Sequence, residues 1–206
     1  MVMERNSSER YPSFEEVVQF HGHACPGLAG GYRAAVAAMQ ALGVARPYDE
    51  ELACIAETDA CGVDAIQLVC GCTAGKGNLV VKDYGKHVFT VISRESGRAV
   101  RVLVRNADIP ERSEMDALRK EVFSGRAASE ERERFQALMR RATERILKLP
   151  EEKVVAVREA HVEPPSQARI FASIVCGCCG EAVADARTLT LDGLQVCIPC
   201  YEARHP

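Results

Sequence analysis

Four cysteines near the C-terminus combine residue type and spacing in a way that points to one chemistry. Cys176-Gly-Cys-Cys179 is followed, after seventeen residues, by Cys197-Ile-Pro-Cys200. Two C-x-x-C pairs can each turn on a tight knuckle and aim two thiolates at one ion. Four thiolates complete a closed tetrahedral Zn²⁺ shell. A spacing that used Cys178 instead of Cys179 would fit a knuckle poorly, so the expected ligands are Cys176, Cys179, Cys197 and Cys200. Between the pairs, Thr188–Leu191 and Leu194–Val196 flank Asp192-Gly193, the signature of a hairpin turn. Knuckle, hairpin and second knuckle lead into Tyr201 and Glu202, a treble-clef or zinc-ribbon layout. So short a segment buries little apolar surface, and the metal should supply much of its stability.

A second group lies in the N-terminal part of the chain. His21, His23 and Cys25 recur at a spacing of two, just before a helix signalled by Pro26. Imidazole and thiolate together suit Zn²⁺ or another borderline-soft transition metal. On an extended segment, alternate residues face the same way and would share one ion. At a helix N-terminus, Cys25 is also expected to have a lowered pKa, which would make it reactive or metal-bound. Cys61 follows a predicted strand and is either a fourth ligand or a small core residue. Asp59 beside it is a candidate supporting partner or base. Cys54 and Cys70 read as core. Gly71-Cys72-Thr73-Ala74-Gly75-Lys76 departs from a nucleotide-binding P-loop: three residues separate the glycines, and Gly77 follows the lysine. Lys76 and the loop amides remain candidates for holding a smaller anion or a carboxylate. Candidate catalytic residues are therefore Cys25, Asp59 and Lys76.

The elements that must position these groups follow from local signals. Ser13 opens a capping box with Glu16, predicting a helix from Phe14 to Phe20. A helix beginning at Pro26 should run through Met39 to Gly43, and its alanines and glycines imply close packing. Leu52–Glu57 reads as a buried strand, Val63–Val69 as a short helix, and Val88–Ser93 with Ala99–Val104 as a hairpin. Ser113 and Ser129 are expected to cap helices running to Phe123 and to about residue 149. Val154–Val157 is a returning strand. Pro164-Pro165-Ser166-Gln167 marks a linker, dividing the chain into a core at 1–165 and a finger at 166–206.

The chain has 206 residues, ten of them cysteine, and a formal net charge of −3. That balance gives no basic footprint for nucleic acid. The sequence also lacks an apolar run long enough to span a membrane. Clustered cysteines without a secretory leader point to metal ligation in a reducing cytoplasm rather than to disulfides.

Three ordered segments carry a family resemblance: Phe20–Arg33, containing His21-Gly22-His23-Ala24-Cys25-Pro26-Gly27; Asp59-Ala60-Cys61-Gly62-Val63-Asp64-Ala65-Ile66-Gln67; and Gly71-Cys72-Thr73-Ala74-Gly75-Lys76-Gly77-Asn78-Leu79. Together they resemble the FmdE family, named for a gene near the molybdenum formylmethanofuran dehydrogenase of methanogens. The resemblance covers roughly residues 14 to 160. It implies an α+β core, homodimers, a metal-binding cleft near the His/Cys motif and an auxiliary treble-clef zinc finger. Carried over by position, His21, His23, Cys25 and Cys61 become the metal-site candidates, with Asp59, Cys72 and Lys76 lining the same cleft. Three functions are compatible with these features. The first is an accessory metalloprotein of a molybdenum or tungsten oxidoreductase. The second is a metal-dependent enzyme, and the third a metal- or redox-responsive regulator or adaptor with a nucleic-acid or protein partner. Across the three, an oxidoreductase or other protein partner is expected ahead of nucleic acid.

Overall fold

The computed structural model describes residues 11–106 and 109–204. The chain divides into two compact units, the first ending at Gln167 and the second beginning at Ala168. The first unit is α+β. Its sheet contains β1 (Leu52–Ala56), β2 (Leu79–Val81), β3 (Val88–Ser93), β4 (Ala99–Val104) and β5 (Val155–Ala160), in the order β2-β1-β3-β4-β5. β1 and β2 pair in parallel, and every other pairing is antiparallel. β3 is central and buried along its whole length, as its run of β-branched and aromatic residues requires.

Among the described residues this unit has six α-helices: α1 (Phe14–His21), α2 (Pro26–Leu42), α3 (Gly62–Cys70), α4 (Arg112–Phe123), α5 (Ser129–Lys148) and the single turn α6 (Glu151–Val154). α2 is the hub, touching the sheet at β3, β4 and β5 and packing against α3 and α5. Its small residues make this possible: Gly30, Gly31, Ala34, Ala35 and Ala38 are all buried. At the α2–α3 crossing Gly31 faces Gly62, and a Cβ built on Gly31 would lie 2.3 Å from the Gly62 Cα. The two backbones are therefore in contact. Arg33, on the same helix, donates from Nη1 to the carbonyls of Ile146, Leu147 and Leu149 at 2.8, 3.0 and 2.8 Å. It thereby satisfies carbonyls that the end of α5 leaves without intrahelical partners.

Several boundaries differ from the sequence expectations. α1 continues one residue further, so His21 is its last residue rather than part of a loop. Ser113 and Ser129 lie inside α4 and α5, and the cap positions are Glu111 and Ala128. At the latter, the Glu131 carboxylate accepts from the Ala128 N–H at 2.8 Å, so the first turn is tied from within the helix without a serine cap. β2 had no signal of its own, because its three residues are stabilised by pairing to β1 and not by a local pattern. β5 extends through Arg158 and Glu159, which pair with β4 at the sheet edge.

Among the described residues, the second unit holds two small hairpins, a 3-10 turn at Asp185–Arg187 and one turn of α-helix. β6 (Ser173–Val175) pairs with β7 (Ala182–Ala184), and β8 (Thr188–Leu191) with β9 (Leu194–Cys197). α7 spans Ile198–Glu202. The Asp192–Gly193 turn has φ of 52° and 81°, both positive as a two-residue hairpin of this type requires. No helix among the described residues is long and apolar enough to cross a membrane.

Candidate metal centre

In the second unit the thiols of Cys176, Cys179, Cys197 and Cys200 lie within 4.8 Å of one another. Each pair straddles a strand end. β6 delivers Cys176 and its return turn delivers Cys179, while β9 ends at Cys197 and α7 carries Cys200. Cys179 Sγ is 3.9 Å from Cys197 Sγ, and the Cys197 N–H donates to Cys176 Sγ at 3.2 Å. The amides of Cys179, Cys197 and Cys178, in that order of effect, lower the pKa of Cys176 to about 6. The knuckle backbone therefore favours a thiolate before any cation arrives. Crowding by the thiols of Cys197 and Cys179 pushes Cys200 the other way. A cation removes that conflict, since a coordinating thiol is deprotonated outright. Cys178 is exposed and lies outside the cluster.

In the first unit His21, Cys25 and Cys61 form a second group, their ligand atoms also within 4.8 Å of one another. Three helix ends meet here. His21 closes α1, Cys25 caps the N-terminus of α2, and Cys61 precedes α3. The Leu28 N–H donates to Cys25 Sγ at 3.3 Å, so the sulfur takes the place of a capping oxygen. His21 Nδ1 donates to Asp64 Oδ2 at 2.6 Å. Asp64 is held in turn by Gln67, whose Nε2 donates to Oδ1 at 3.0 Å. His21 Nε2 is buried and has no hydrogen-bond partner among the described residues. An orphaned buried nitrogen is costly, and the two nearby sulfurs make it a candidate metal ligand. The carboxylate on the far ring nitrogen fixes the tautomer and raises the basicity of the other one. This donor set fits a borderline-soft transition metal.

The expected lowering of the Cys25 pKa is overturned. Burial is the largest influence and raises it to about 11. The Leu28 amide opposes this without prevailing, and Cys61 adds to the rise. Without a cation Cys25 is a neutral thiol, and only a metal would make it a thiolate near neutral pH.

Four sequence candidates fall outside this group. His23 was expected to face the same ion as His21. However, α1 ends between them at Gly22, with φ of 96°, so the segment is not extended. The His23 ring instead packs on that of His21, centroids 4.5 Å apart. Asp59 is exposed, and the supporting carboxylate is Asp64. Asp64 sits three residues after Cys61, and on a helix that spacing brings two side chains to one face; this was the signal that could have found it. Cys72 and Lys76 follow the far end of α3, whose nine residues put about 13 Å between its ends. Cys72 is fully buried with its pKa pushed up to about 12 by that burial, near the buried Cys54 and Cys70. Lys76 Nζ donates to the Asp49 carbonyl at 2.8 Å and so anchors a loop.

A cleft of about 1080 Å³ opens beside the group. Of the three donors only Cys61 lines it. The first turns of α2, the end of β4, α4 and α6 supply its walls. The family resemblance implied a cleft near the His/Cys motif, and Pro26, Gly27, Gly30, Ala60 and Cys61 come from the segments that carry it. The walls from β4, α4 and α6 carry no motif and were not foreseen, and Asp59, Cys72 and Lys76 do not line the cleft.

The family model described as FmdE, molybdenum formylmethanofuran dehydrogenase operon, matches residues 20–156. A "Probable S-adenosyl-L-methionine-binding protein" of Archaeoglobus fulgidus is 32% identical over 189 residues, which are 88% of this chain and 50% of that protein. The chain thus spans half the length of the curated relative it matches. The crystal structure of an FmdE-like protein of the tungsten formylmethanofuran dehydrogenase type, from Syntrophus aciditrophicus, has a TM-score of 0.59 to this chain. It is 24% identical, and the match covers 98% of both chains. At that identity the likeness is one of fold.

Proposed function

The chain belongs to the FmdE family, and from that premise we propose that it is a metal-handling accessory protein of a molybdenum or tungsten formylmethanofuran dehydrogenase-type system. In this reading the C-terminal cysteines hold a structural Zn²⁺ in a treble-clef finger, and His21, Cys25 and Cys61 hold a second transition metal. One observation carries the proposal: a histidine oriented by Asp64 leaves its other nitrogen buried and unpartnered beside two thiols. Four thiolates seal an ion, whereas three protein donors leave a coordination position for exchange or transfer.

Metal analysis of the full chain tests the first step. Two ions per chain are expected, falling to one in Cys25→Ala and, independently, to one in Cys176→Ser. Wild-type metal content in Cys25→Ala removes the premise. Disrupting the gene in a host that makes such a dehydrogenase tests the second. The molybdenum or tungsten content of that enzyme should fall, and an unchanged content argues against the accessory role.

A second reading, a metal-dependent enzyme, is favoured by the cleft at Cys61. A bound metal there would supply Lewis-acid chemistry, and the chain's own part would be to hold a substrate in the cleft. Turnover that survives removal of the dehydrogenase partner would favour it. Binding of S-adenosyl-L-methionine, the property named for the longer relative, is tested on this chain by calorimetric titration.

A further inference from the structure

The walls of the cleft show a division of chemistry. One side is apolar: Leu103 at the end of β4, with Ile109 and Met115 leading into and lying on α4. Leu103 is 40% exposed, a large apolar side chain on a strand otherwise mostly buried. The rim is basic. Arg105, Arg112, Arg119 and Lys153 line the cleft, against the carboxylates Asp116 and Glu152. Asp116 is bound by Arg119 at 3.1 Å. The rim as a whole therefore carries four cations and two anions. This local excess stands against a chain whose formal net charge is −3. Arg105 is fixed at the wall by its Nε, which donates to the Val155 carbonyl at 3.4 Å, and by its N–H, which donates to the Val154 carbonyl at 2.7 Å.

We infer that this cleft binds a small organic anion, a carboxylate or phosphate joined to an apolar body. The body lies over Leu103 and Met115, the charge rests on the Arg105–Lys153 rim, and one end of the ligand reaches Cys61. A mostly apolar pocket with a few placed charges is the usual form of a small-molecule site, and low-dielectric walls strengthen the attraction of the rim. The inference deepens the metal-centre reading by naming a ligand class. It rests on that reading only for the role of the Cys61 end.

The test uses the full chain, its metal content measured beforehand, titrated calorimetrically with hexanoate, hexyl phosphate and 1-hexanol at low salt. One or both anions should bind at least tenfold more tightly than the alcohol, and the two arms distinguish carboxylate from phosphate. The Arg105→Gln/Lys153→Gln double variant should lose that advantage by about tenfold. Leu103→Glu, at a half-exposed position, should bind neither anion. In cobalt-substituted protein, the preferred anion should shift the visible spectrum. Equal affinity for 1-hexanol, or undiminished anion binding in the double variant, overturns the inference even where the core metal is present. Anion binding that persists in chelator-stripped protein upholds the cleft and leaves the metal reading to metal analysis alone.

Discussion

Replacing Gly31 by alanine sets two effects against each other, and the structure decides between them. In a helix interior alanine is intrinsically better than glycine by about 1 kcal/mol. Against this, the new Cβ would lie 2.3 Å from the Gly62 Cα and 2.5 Å from the Gly62 carbonyl oxygen. Carbon atoms in contact rest at about 3.5 Å or more, so α2 and α3 must part by about 1.2 Å. The obstacle is backbone, which no rotamer change can relieve. Overpacking costs about 1–3 kcal/mol where side chains can yield, and more where they cannot. The clash therefore outweighs propensity, and a net loss of about 2 kcal/mol is expected. The same movement separates Cys25, at the head of α2, from Cys61, at the head of α3. A displacement near 1 Å exceeds the roughly 0.2 Å tolerance of metal–ligand distances. Gly31→Ala should thus unfold at lower denaturant and lose the core metal, while the finger, a separate unit, keeps its ion. Denaturant midpoints and metal stoichiometry per chain measure both. Gly30→Ala is the control, since its Cβ would meet only the Val104 Cγ1, at 3.0 Å, and that side chain can move. A Gly31→Ala protein with wild-type midpoint and metal content would refute the reasoning.

Asp64→Asn should weaken the core metal by about 10- to 100-fold, the usual effect of losing a carboxylate behind a ligating histidine. Competition with a chromophoric chelator reads this, and an unchanged affinity would mean that the 2.6 Å contact does not orient the ring. Arg33→Ala should destabilise the core by about 2–4 kcal/mol, since a charged donor serving the carbonyls of Ile146, Leu147 and Leu149 disappears. Equilibrium unfolding checks it, and a loss under about 1 kcal/mol would count against that role. Above pH 9 stability should fall with rising pH. The Cys72 thiol titrates near 9 when unfolded but at about 12 when buried, so between those values the unfolded state sheds the proton first. The contribution is complete below pH 9 and is lost as pH climbs, with a slope of at most about 1.4 kcal/mol per pH unit for one thiol. Cys72→Ala should show a shallower alkaline decline than wild type, and identical slopes would refute the burial argument.

The helices that carry the site were readable because their signals are local. Ser13 and Glu16 cap α1 reciprocally, Gly43 ends α2, and the alanine face of α2 announced the close packing seen at Gly31. The clustering of Cys176, Cys179, Cys197 and Cys200 was readable for a related reason: the members of each pair are three residues apart, and the turn between the pairs is written in Asp192-Gly193. β2 was not readable, since its stability comes from a distant partner. The caps of α4 and α5 were misjudged because serine is only one way to satisfy a first turn. At Ala128 the Glu131 side chain does it from within the helix.

The sequence alone determined the kinds of donor available and that they fall into two groups, because residue type sets ligand chemistry and short spacings set knuckles and caps. Only the tertiary structure decided which donors meet. His21 and His23 are two residues apart, yet a helix end divides them. Asp64 is 43 residues from His21 and bonds its ring at 2.6 Å. Cys72 shares a motif with Lys76 but is carried away from Cys61 by the length of α3. The physical reason is that a metal centre depends on distances of a few ångströms between elements, and those distances come from how closely α2 and α3 pack, which no local pattern records.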